Sequence, residues 1–195
     1  MVNEIPVGVE PEGMGVSPDG KTIVNTSETT NMAHFIDADS HEITHNVLVD
    51  ARPRFAEYKK DGSEVWITSE IGGTVSVIDD KTRDIKTKIS FAIPGLRAEA
   101  IQPVGMRITS DGKKAFVALG PANRIAVVNA QTYEVEDYIL VGQRVWQLAF
   151  TPDEKLLITT NGVSNDITFI DVESGKAVKS VQVGQLPWGV AVSPE

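Results

Sequence analysis

A repeating unit of 42 residues constrains this chain more than any other feature of its sequence. Turn aspartates recur in steps of 42, 50 and 42 residues: Asp19, Asp61, Asp111 and Asp153. The ends of the apolar runs keep the same steps: Asp37, Asp79, Asn129 and Asp171. A third marker has the same register: Gly8, Asp50, Gly142 and Gly184. The third unit therefore carries eight additional residues just before Pro103.

Each unit has the pattern of four short strands separated by turns. In the fourth unit these are 145–150, 156–160, 167–171 and 177–183, rich in Val, Ile, Thr and Phe. The turns contain Gly, Asn, Asp and Pro, which accept tight-hairpin dihedrals. One register position, expected to have positive φ, is held by Asn31, Gly73, Asn123 and Asn165.

Four antiparallel strands in each ~40–45 residues are typical of a β-propeller blade. A β-sandwich has no reason to repeat its sequence, and no segment shows a sustained helical period. The sequence predicts an all-β propeller domain with four four-stranded blades at 8–49, 50–91, 92–141 and 142–183. Residues 184–195 are expected to supply the first strand of a fifth blade.

Charge and composition exclude several classes of function. The net charge of −9 argues against a nucleic-acid surface, which needs clustered Lys and Arg. No cysteine is present, so disulfides, thiolate metal sites and a cysteine nucleophile are excluded. No run approaches the about 20 apolar residues that a membrane helix requires, so membrane insertion is not expected.

Several segments resemble one known family of repeats. Residues 13–21 (GMGVSPDGK) and 188–194 (WGVAVSP) resemble the first hairpin of the YVTN-type β-propeller repeat, and 75–79 (VSVID) and 167–171 (ITFID) resemble its later half. The resemblance implies a seven-bladed, exported protein without established catalytic residues. This chain would then be an arc of that ring, a fragment that lacks the closing blades and any signal peptide.

A narrower resemblance lies in residues 9–14 (VEPEGM) and 27–37 (SETTNMAHFID). These segments are similar to the periplasmic propeller proteins associated with PQQ-dependent alcohol catabolism.

The resemblance places the first strand of each unit innermost, so the register predicts which residues surround the mouth of the central channel. The candidate ligand-binding residues are Glu10, Glu12, Arg52, Arg54, Arg144, Trp146 and Trp188. The arginines offer forked donors for a carboxylate or phosphate, and the tryptophans offer faces for a planar ligand. Arg97 and Glu99, in the insertion, are expected to cover the same mouth. In the alternative interpretation, Glu10 and Glu12 pair with the arginines and leave a solvated channel.

Other polar residues have more ordinary interpretations. His34 falls where other units have small residues, and it is expected to pack or hydrogen-bond locally, with a haem or metal ligand as the alternative. His41 and His45 are expected to face solvent, and a zinc site is not expected. Aspartates that recur after the third strand indicate turn formation. Met14 and Met106 share one register position and are expected in the core.

The sequence favours a non-catalytic binding or scaffold protein, periplasmic or otherwise exported, accessory to PQQ-dependent alcohol oxidation. Its partner would be a protein or a small acidic or planar ligand at the channel mouth. No cofactor is assigned, because no residue pattern supports bound PQQ or haem d1. One alternative is a propeller enzyme, similar to lactonases or to haem d1-dependent reductases. Another is a surface-layer or adhesion protein, which long tandem arrays or cell-wall motifs would support.

Overall fold

The fold comes from a computed structural model, of which residues 3–193 are described. Sixteen strands form four separate four-stranded antiparallel sheets, each built from four consecutive strands in sequence order. Blade 1 contains β1 (Pro11–Val16), β2 (Thr22–Ser27), β3 (Met32–Asp37) and β4 (Ile43–Leu48). Blade 2 contains β5 (Pro53–Tyr58), β6 (Glu64–Ser69), β7 (Thr74–Asp79) and β8 (Ile85–Ser90).

The last two blades repeat this arrangement. Blade 3 contains β9 (Met106–Ile108), β10 (Lys114–Ala118), β11 (Arg124–Asn129) and β12 (Val135–Leu140). Blade 4 contains β13 (Val145–Phe150), β14 (Leu156–Asn161), β15 (Asp166–Asp171) and β16 (Lys176–Gln182). A three-residue 3₁₀ turn, Ala98–Ala100, lies in the insertion before β9. The predicted all-β partial propeller is confirmed, and the strands of blade 4 agree with the prediction to within one residue at each end.

The turns between strands follow the chemistry read from the sequence. At the position predicted to have positive φ, Asn31, Asn123 and Asn165 have φ of 56°, 56° and 59° and Gly73 has 67°. Asp37 accepts hydrogen bonds from the backbone N–H of Asp39 (3.1 Å) and Ser40 (2.7 Å). The bond from Ser40 is the main reason that the pKa of Asp37 lies below its ordinary value. The predicted turn-forming role of this aspartate is therefore confirmed.

The core consists of three layers, each between two adjacent blades. Val24 and Phe35 of blade 1 pack against Val65 and Ile67 of blade 2. The layer between blades 2 and 3 is the largest and includes residues before and within the insertion, such as Phe91, Ile93 and Ile101. The layer between blades 3 and 4 contains Phe116, Ile125, Leu148 and Leu157. In the described residues, blades 2 and 3 thus pack both faces onto neighbours, and blades 1 and 4 pack one face each.

The prediction that Met14 lies in the core is wrong. Its side chain is 57% exposed, whereas Met106 and Leu148 at the same register position are fully buried. These side chains point toward the preceding blade, and in the described residues no blade precedes blade 1. Register position therefore predicts the direction of a side chain, but burial also requires a neighbour on that side.

The segment after β16 differs from the prediction of a fifth first strand. Residues 184–193 form no hydrogen-bonded strand, because such a strand pairs with the second strand of its own blade and none follows in the described residues. The segment lies against blade 4, where Thr160 Oγ1 donates a hydrogen bond to the Trp188 carbonyl (2.9 Å). Residues 194 and 195, which belong to that prediction, lie outside the described residues.

Candidate functional site

The first strand of every blade begins at the same end of the molecule, which we call the mouth face. Because neighbouring strands are antiparallel, the hairpins that join the second and third strands also lie at this end. The connections from each blade to the next lie there as well. The predicted site residues Glu10, Arg52 and Arg144 all precede a first strand, so the fold brings them to the mouth face.

A hydrogen bond to an asparagine of the preceding blade holds several of these lead-in residues in an unusual conformation. Arg52 and Arg144 have φ of 60° and 56°, in the left-handed region that costs a non-glycine residue about 1 kcal/mol or more. The backbone N–H of Arg52 donates to Asn31 Oδ1 (3.0 Å), and that of Arg144 donates to Asn123 Oδ1 (2.8 Å). The asparagine of one blade therefore fixes the mouth residue of the following blade.

The arginines of blade 2 form a network with three glutamates. Arg52 Nε lies 2.7 Å from Glu28 Oε2 and 3.3 Å from Glu70 Oε2. Arg54 forms a short ion pair with Glu28 and lies 3.3 Å from Glu12 and 3.7 Å from Glu70. Glu28 and Glu70 are 6% and 3% exposed, so their charges require these partners. The alternative interpretation, in which the mouth glutamates pair with the arginines, agrees with the contact between Glu12 and Arg54. Most of the pairing, however, comes from Glu28 and Glu70.

Arg144 extends the network to blade 4. It donates to Glu70 Oε1 (2.9 Å) and to Gln102 Oε1 (3.0 Å). Its guanidinium lies 4.2 Å from the centroid of the Trp146 ring, and that of Arg54 lies 5.9 Å from the same centroid. Cation–π stacking thus joins the arginines of two blades on one indole.

The remaining predicted residues lie around this network without joining it. Glu10 accepts a short hydrogen bond from the Thr29 hydroxyl. Trp188 is 52% exposed and, with Glu12 and Arg54, lines a cavity between the innermost strands. Arg97 and Glu99 form no ion pair with the described residues.

Sequence reasoning missed Glu28 and Glu70, although a signal for them exists. The pairs Ser27-Glu28 and Ser69-Glu70 stand one repeat apart, at the end of the second strand. At the same position blades 3 and 4 have Gly120 and Gly162. A Cβ on Gly162 would lie 2.6 Å from Trp146 Nε1, so the glycine makes room for the indole.

The network is close to electrically neutral and leaves few groups free for a ligand. Arg54 and Arg144 are 12% and 23% exposed and have several carboxylate or amide partners each. Arg52 is 47% exposed, and its two terminal nitrogens form no hydrogen bond with the described residues. The Glu28 carboxylate is the main cause that raises the pKa of Arg52 above its ordinary value. Within this network, Arg52 is therefore the arginine that a small acid can reach, and its Nε is already paired with Glu28 and Glu70.

His34 is buried and uses both ring nitrogens. Nε2 accepts a hydrogen bond from the Gly8 backbone N–H (3.1 Å), and Nδ1 lies 2.5 Å from Asn46 Oδ1. The predicted local hydrogen bonding of this residue is confirmed. His41 and His45 are exposed, as predicted.

The described residues hold neither a group of side chains suited to a metal ion nor a membrane-spanning helix. Residues 3–193 contain no cluster of three or more His, Cys, Asp or Glu side chains arranged to hold a metal ion. Within the same range, no helix has the length and apolar character required to cross a membrane.

The fold and the mouth define this chain as a partial β-propeller with an ion-paired channel mouth. It belongs to the choice-of-anchor I domain family, whose sequence model matches residues 1–163. Membership of this family indicates an exported or cell-surface protein. No curated protein sequence matches the chain significantly. The closer resemblance to YVTN-type and PQQ-associated propellers is not confirmed by these comparisons.

Solved structures with the same fold have varied activities. A chain of hydrazine synthase from Kuenenia stuttgartiensis has a TM-score of 0.80 at 24% identity, covering 92% of this chain and 51% of that one. Dihydro-haem d1 dehydrogenase NirN in complex with DHE has a TM-score of 0.78 at 18% identity, covering 91% and 38%. A functionally unknown protein from Desulfotomaculum acetoxidans has a TM-score of 0.80 at 14% identity, covering 95% and 60%. The chain spans about half of the hydrazine synthase chain, and these likenesses show the fold alone.

Proposed function

We propose that this chain is a non-catalytic binding module of an exported protein, and that the mouth face docks another protein. The observation that carries the proposal is the distribution of exposed apolar side chains. Twelve large hydrophobic side chains are exposed in the described residues, and nine of them lie at the mouth end of the blades. These nine are Val9, Leu48, Ile71, Leu96, Leu140, Val163, Val183, Leu186 and Trp188.

This distribution favours a protein partner over a small ligand. The apolar residues lie at one end of all four blades instead of lining one pocket, and exposed apolar side chains gathered on one face are typical of protein interaction sites. The arginine forks that a small acid would use are already paired with Glu28 and Glu70. Arg52 and Trp188 belong to the residue types that contribute most to protein interfaces.

The partner class follows from the narrower resemblance of residues 9–14 and 27–37. We place the protein in the periplasm, as an accessory of PQQ-dependent alcohol oxidation that docks a quinoprotein alcohol dehydrogenase or its cytochrome. The surface-layer or adhesion alternative shares the exported location that family membership indicates.

The enzyme alternatives receive less support from the geometry. A haem d1 site needs an axial ligand, and both ring nitrogens of His34 are occupied by Gly8 and Asn46. A lactonase-like site needs carboxylates free to bind a metal ion, and Glu10 and Glu12 are engaged with Thr29 and Arg54. Binding at the mouth face requires no change in these contacts.

The proposal is tested by the affinity of the purified protein for a PQQ-dependent alcohol dehydrogenase and for its cytochrome, measured by biolayer interferometry. We expect Ile71→Glu and Val163→Glu each to weaken binding at least about tenfold, because each buries a charge in the interface. Val178→Glu is the matched control. Val178 is as exposed as Ile71 (59% each), but it lies near the start of β16, at the end of blade 4 away from the mouth face. Equal affinities of Ile71→Glu and Val178→Glu would overturn the mouth-face assignment. Failure to bind either protein would overturn the PQQ-linked partner.

A further inference from the structure

A second cavity lies at the other end of the innermost strands. It has a volume of about 550 Å³, and residues from the ends of β1, β5 and β9 line it. Cavities of ~300–1,000 Å³ are the usual size of small-molecule sites. From Glu12 to Val16 the strand rises by about 13 Å, so this lower-channel cavity extends away from the mouth network. Met14, Phe55 and Arg107 line both this cavity and the one that reaches Glu12 and Arg54.

Two cations face the lower-channel cavity. The Arg107 guanidinium lies 5.0 Å from the centroid of the Phe55 ring, and its Nη1 donates to the Met106 carbonyl (2.8 Å). The Arg107 side chain is 28% exposed. Lys60 is exposed, and no carboxylate of residues 3–193 lies within ion-pair distance of it. The cavity wall thus has one positive charge stacked on an aromatic ring and one without an ion-pair partner in the described residues.

The acidic and titratable groups that line the cavity neutralise these cations only in part. Burial raises the pKa of Glu57 to about 7, against the opposing effect of Arg107, which lies 3.4 Å away. Glu154 accepts hydrogen bonds from the backbone N–H (3.1 Å) and hydroxyl (3.0 Å) of Ser110. Tyr58 donates to Asp80 (2.9 Å) and has a raised pKa because it is buried. Lys60 and Arg107 therefore face the carboxylates of Glu57 and Glu154, and protonation of Glu57 below about pH 7 leaves the cavity with a net positive charge.

Apolar side chains form the rest of the cavity wall. Met14 and Val16 line it on the blade 1 side. Phe55, Ala56 and Ile108 complete the apolar surface. A ligand in this cavity would meet positive charge and apolar surface together.

We propose that the lower-channel cavity binds a small carboxylate that carries an apolar tail. The carboxylate contacts Arg107 and Lys60, and the tail covers Met14, Val16 and Phe55. A charged ligand without a tail would lose the apolar contacts, and a neutral ligand would lose the charged hydrogen bonds.

Binding at this site is coupled to protonation of Glu57. A bound carboxylate beside Arg107 disfavours a second negative charge on Glu57, so the complex takes up a proton. Affinity is therefore highest below pH 7 and falls as the pH rises above it.

The experiment is calorimetric titration of the purified chain with 4-phenylbutyrate and with its neutral amide, 4-phenylbutanamide, at pH 6 and pH 8. We expect the carboxylate to bind at least about tenfold more tightly than the amide at pH 6. Lys60→Gln and Arg107→Gln should each weaken 4-phenylbutyrate about fivefold or more. Glu57→Gln should make the affinity equal at the two pH values.

Controls separate this site from the mouth face and from effects on folding. Lys113→Gln removes a surface lysine that is 69% exposed and outside the cavity wall, and it should leave 4-phenylbutyrate binding unchanged. Ile71→Glu should also leave it unchanged, since Ile71 lies on the mouth face. Because Lys60 is exposed and unpaired in the described residues, Lys60→Gln tests the site even if Arg107→Gln fails to fold. Equal binding of acid and amide, or unchanged binding by Lys60→Gln, would overturn the proposal.

Discussion

Glu64 is a buried carboxylate that joins two blades. It is 2% exposed, and Tyr133 from blade 3 donates to it at 2.6 Å. Burial alone would raise the pKa of Glu64, but hydrogen bonds from Lys86, Tyr133, Trp66 and Lys59 outweigh it and lower this pKa to about 2. The ionised form is therefore the one that stabilises the native state.

We predict that Glu64→Gln lowers the free energy of unfolding by about 3 kcal/mol at pH 7, because the buried Lys59 and the partly exposed Lys86 lose their carboxylate partner. The folded pKa of about 2 lies below the ordinary value of 4.5, so the contribution of Glu64 is complete above pH 4.5. It decreases as the pH falls toward 2, because the native state then has to take up the proton. Denaturant titrations of both proteins between pH 2 and pH 7 should show curves that converge at low pH.

Glu42→Gln is the control for this prediction, since Glu42 is exposed and its side chain has no partner in the described residues. A difference between wild type and Glu64→Gln that stays constant down to pH 2 would show that the carboxylate does not act through its charge.

At the scale of single strands, glycines let the innermost strands of adjacent blades approach closely. The Gly105 N–H donates to the Trp146 carbonyl (2.9 Å), which joins blade 3 to blade 4. A Cβ on Gly105 would lie 2.5 Å from that carbonyl oxygen, and one on Gly13 would lie 2.7 Å from the Arg54 carbonyl oxygen. Any side chain at these positions separates two blades.

Gly105→Ala is expected to destabilise the chain by about 2 kcal/mol or more, because the methyl group meets backbone that cannot move away easily. Gly189 is the register-matched control: a Cβ there has no atom within 4 Å, so Gly189→Ala should change stability by less than about 0.5 kcal/mol. Thermal unfolding of the two variants measures the difference. Similar melting temperatures for both would contradict the close packing of the inner strands.

The strands and turns were predictable because their signals are local. Alternating β-branched residues, turn aspartates and the Asn31 position each act within one hairpin, so the repeat specifies them directly. The partners of Arg52 and Arg54 were not predictable in the same way. Glu28 lies in a different blade from these arginines, and the rotation of one blade on the next brings them together, which a pattern within one unit does not encode.

For the whole molecule, the position of a blade in the arc decides how much its residues stabilise the fold. Met106 is fully buried between blades 2 and 3, and Met14, its equivalent in blade 1, is 57% exposed on an uncovered face. The sequence predicted the same environment for both, because it specifies the unit and not the number of neighbours that each unit has.

We predict that Met106→Ala lowers the free energy of unfolding by about 3 kcal/mol through the lost contacts and the cavity that remains. Met14→Ala should cost less than about 1 kcal/mol, since solvent already reaches most of its side chain. Urea denaturation of both variants provides the comparison. A large effect of Met14→Ala would mean that this face is covered in solution.

The asparagine at the tip of the second hairpin in blades 1, 3 and 4 also affects how such a ring can grow. Asn31, Asn123 and Asn165 each bind the backbone at the start of the following unit, whereas Gly73 has no side chain to do so. The eight-residue insertion follows Gly73, the described junction without that bond. A tandem duplication of a 42-residue unit with its asparagine would therefore also copy the side chain that binds the start of the following unit. Extra residues can be accommodated at a junction that lacks this hydrogen bond.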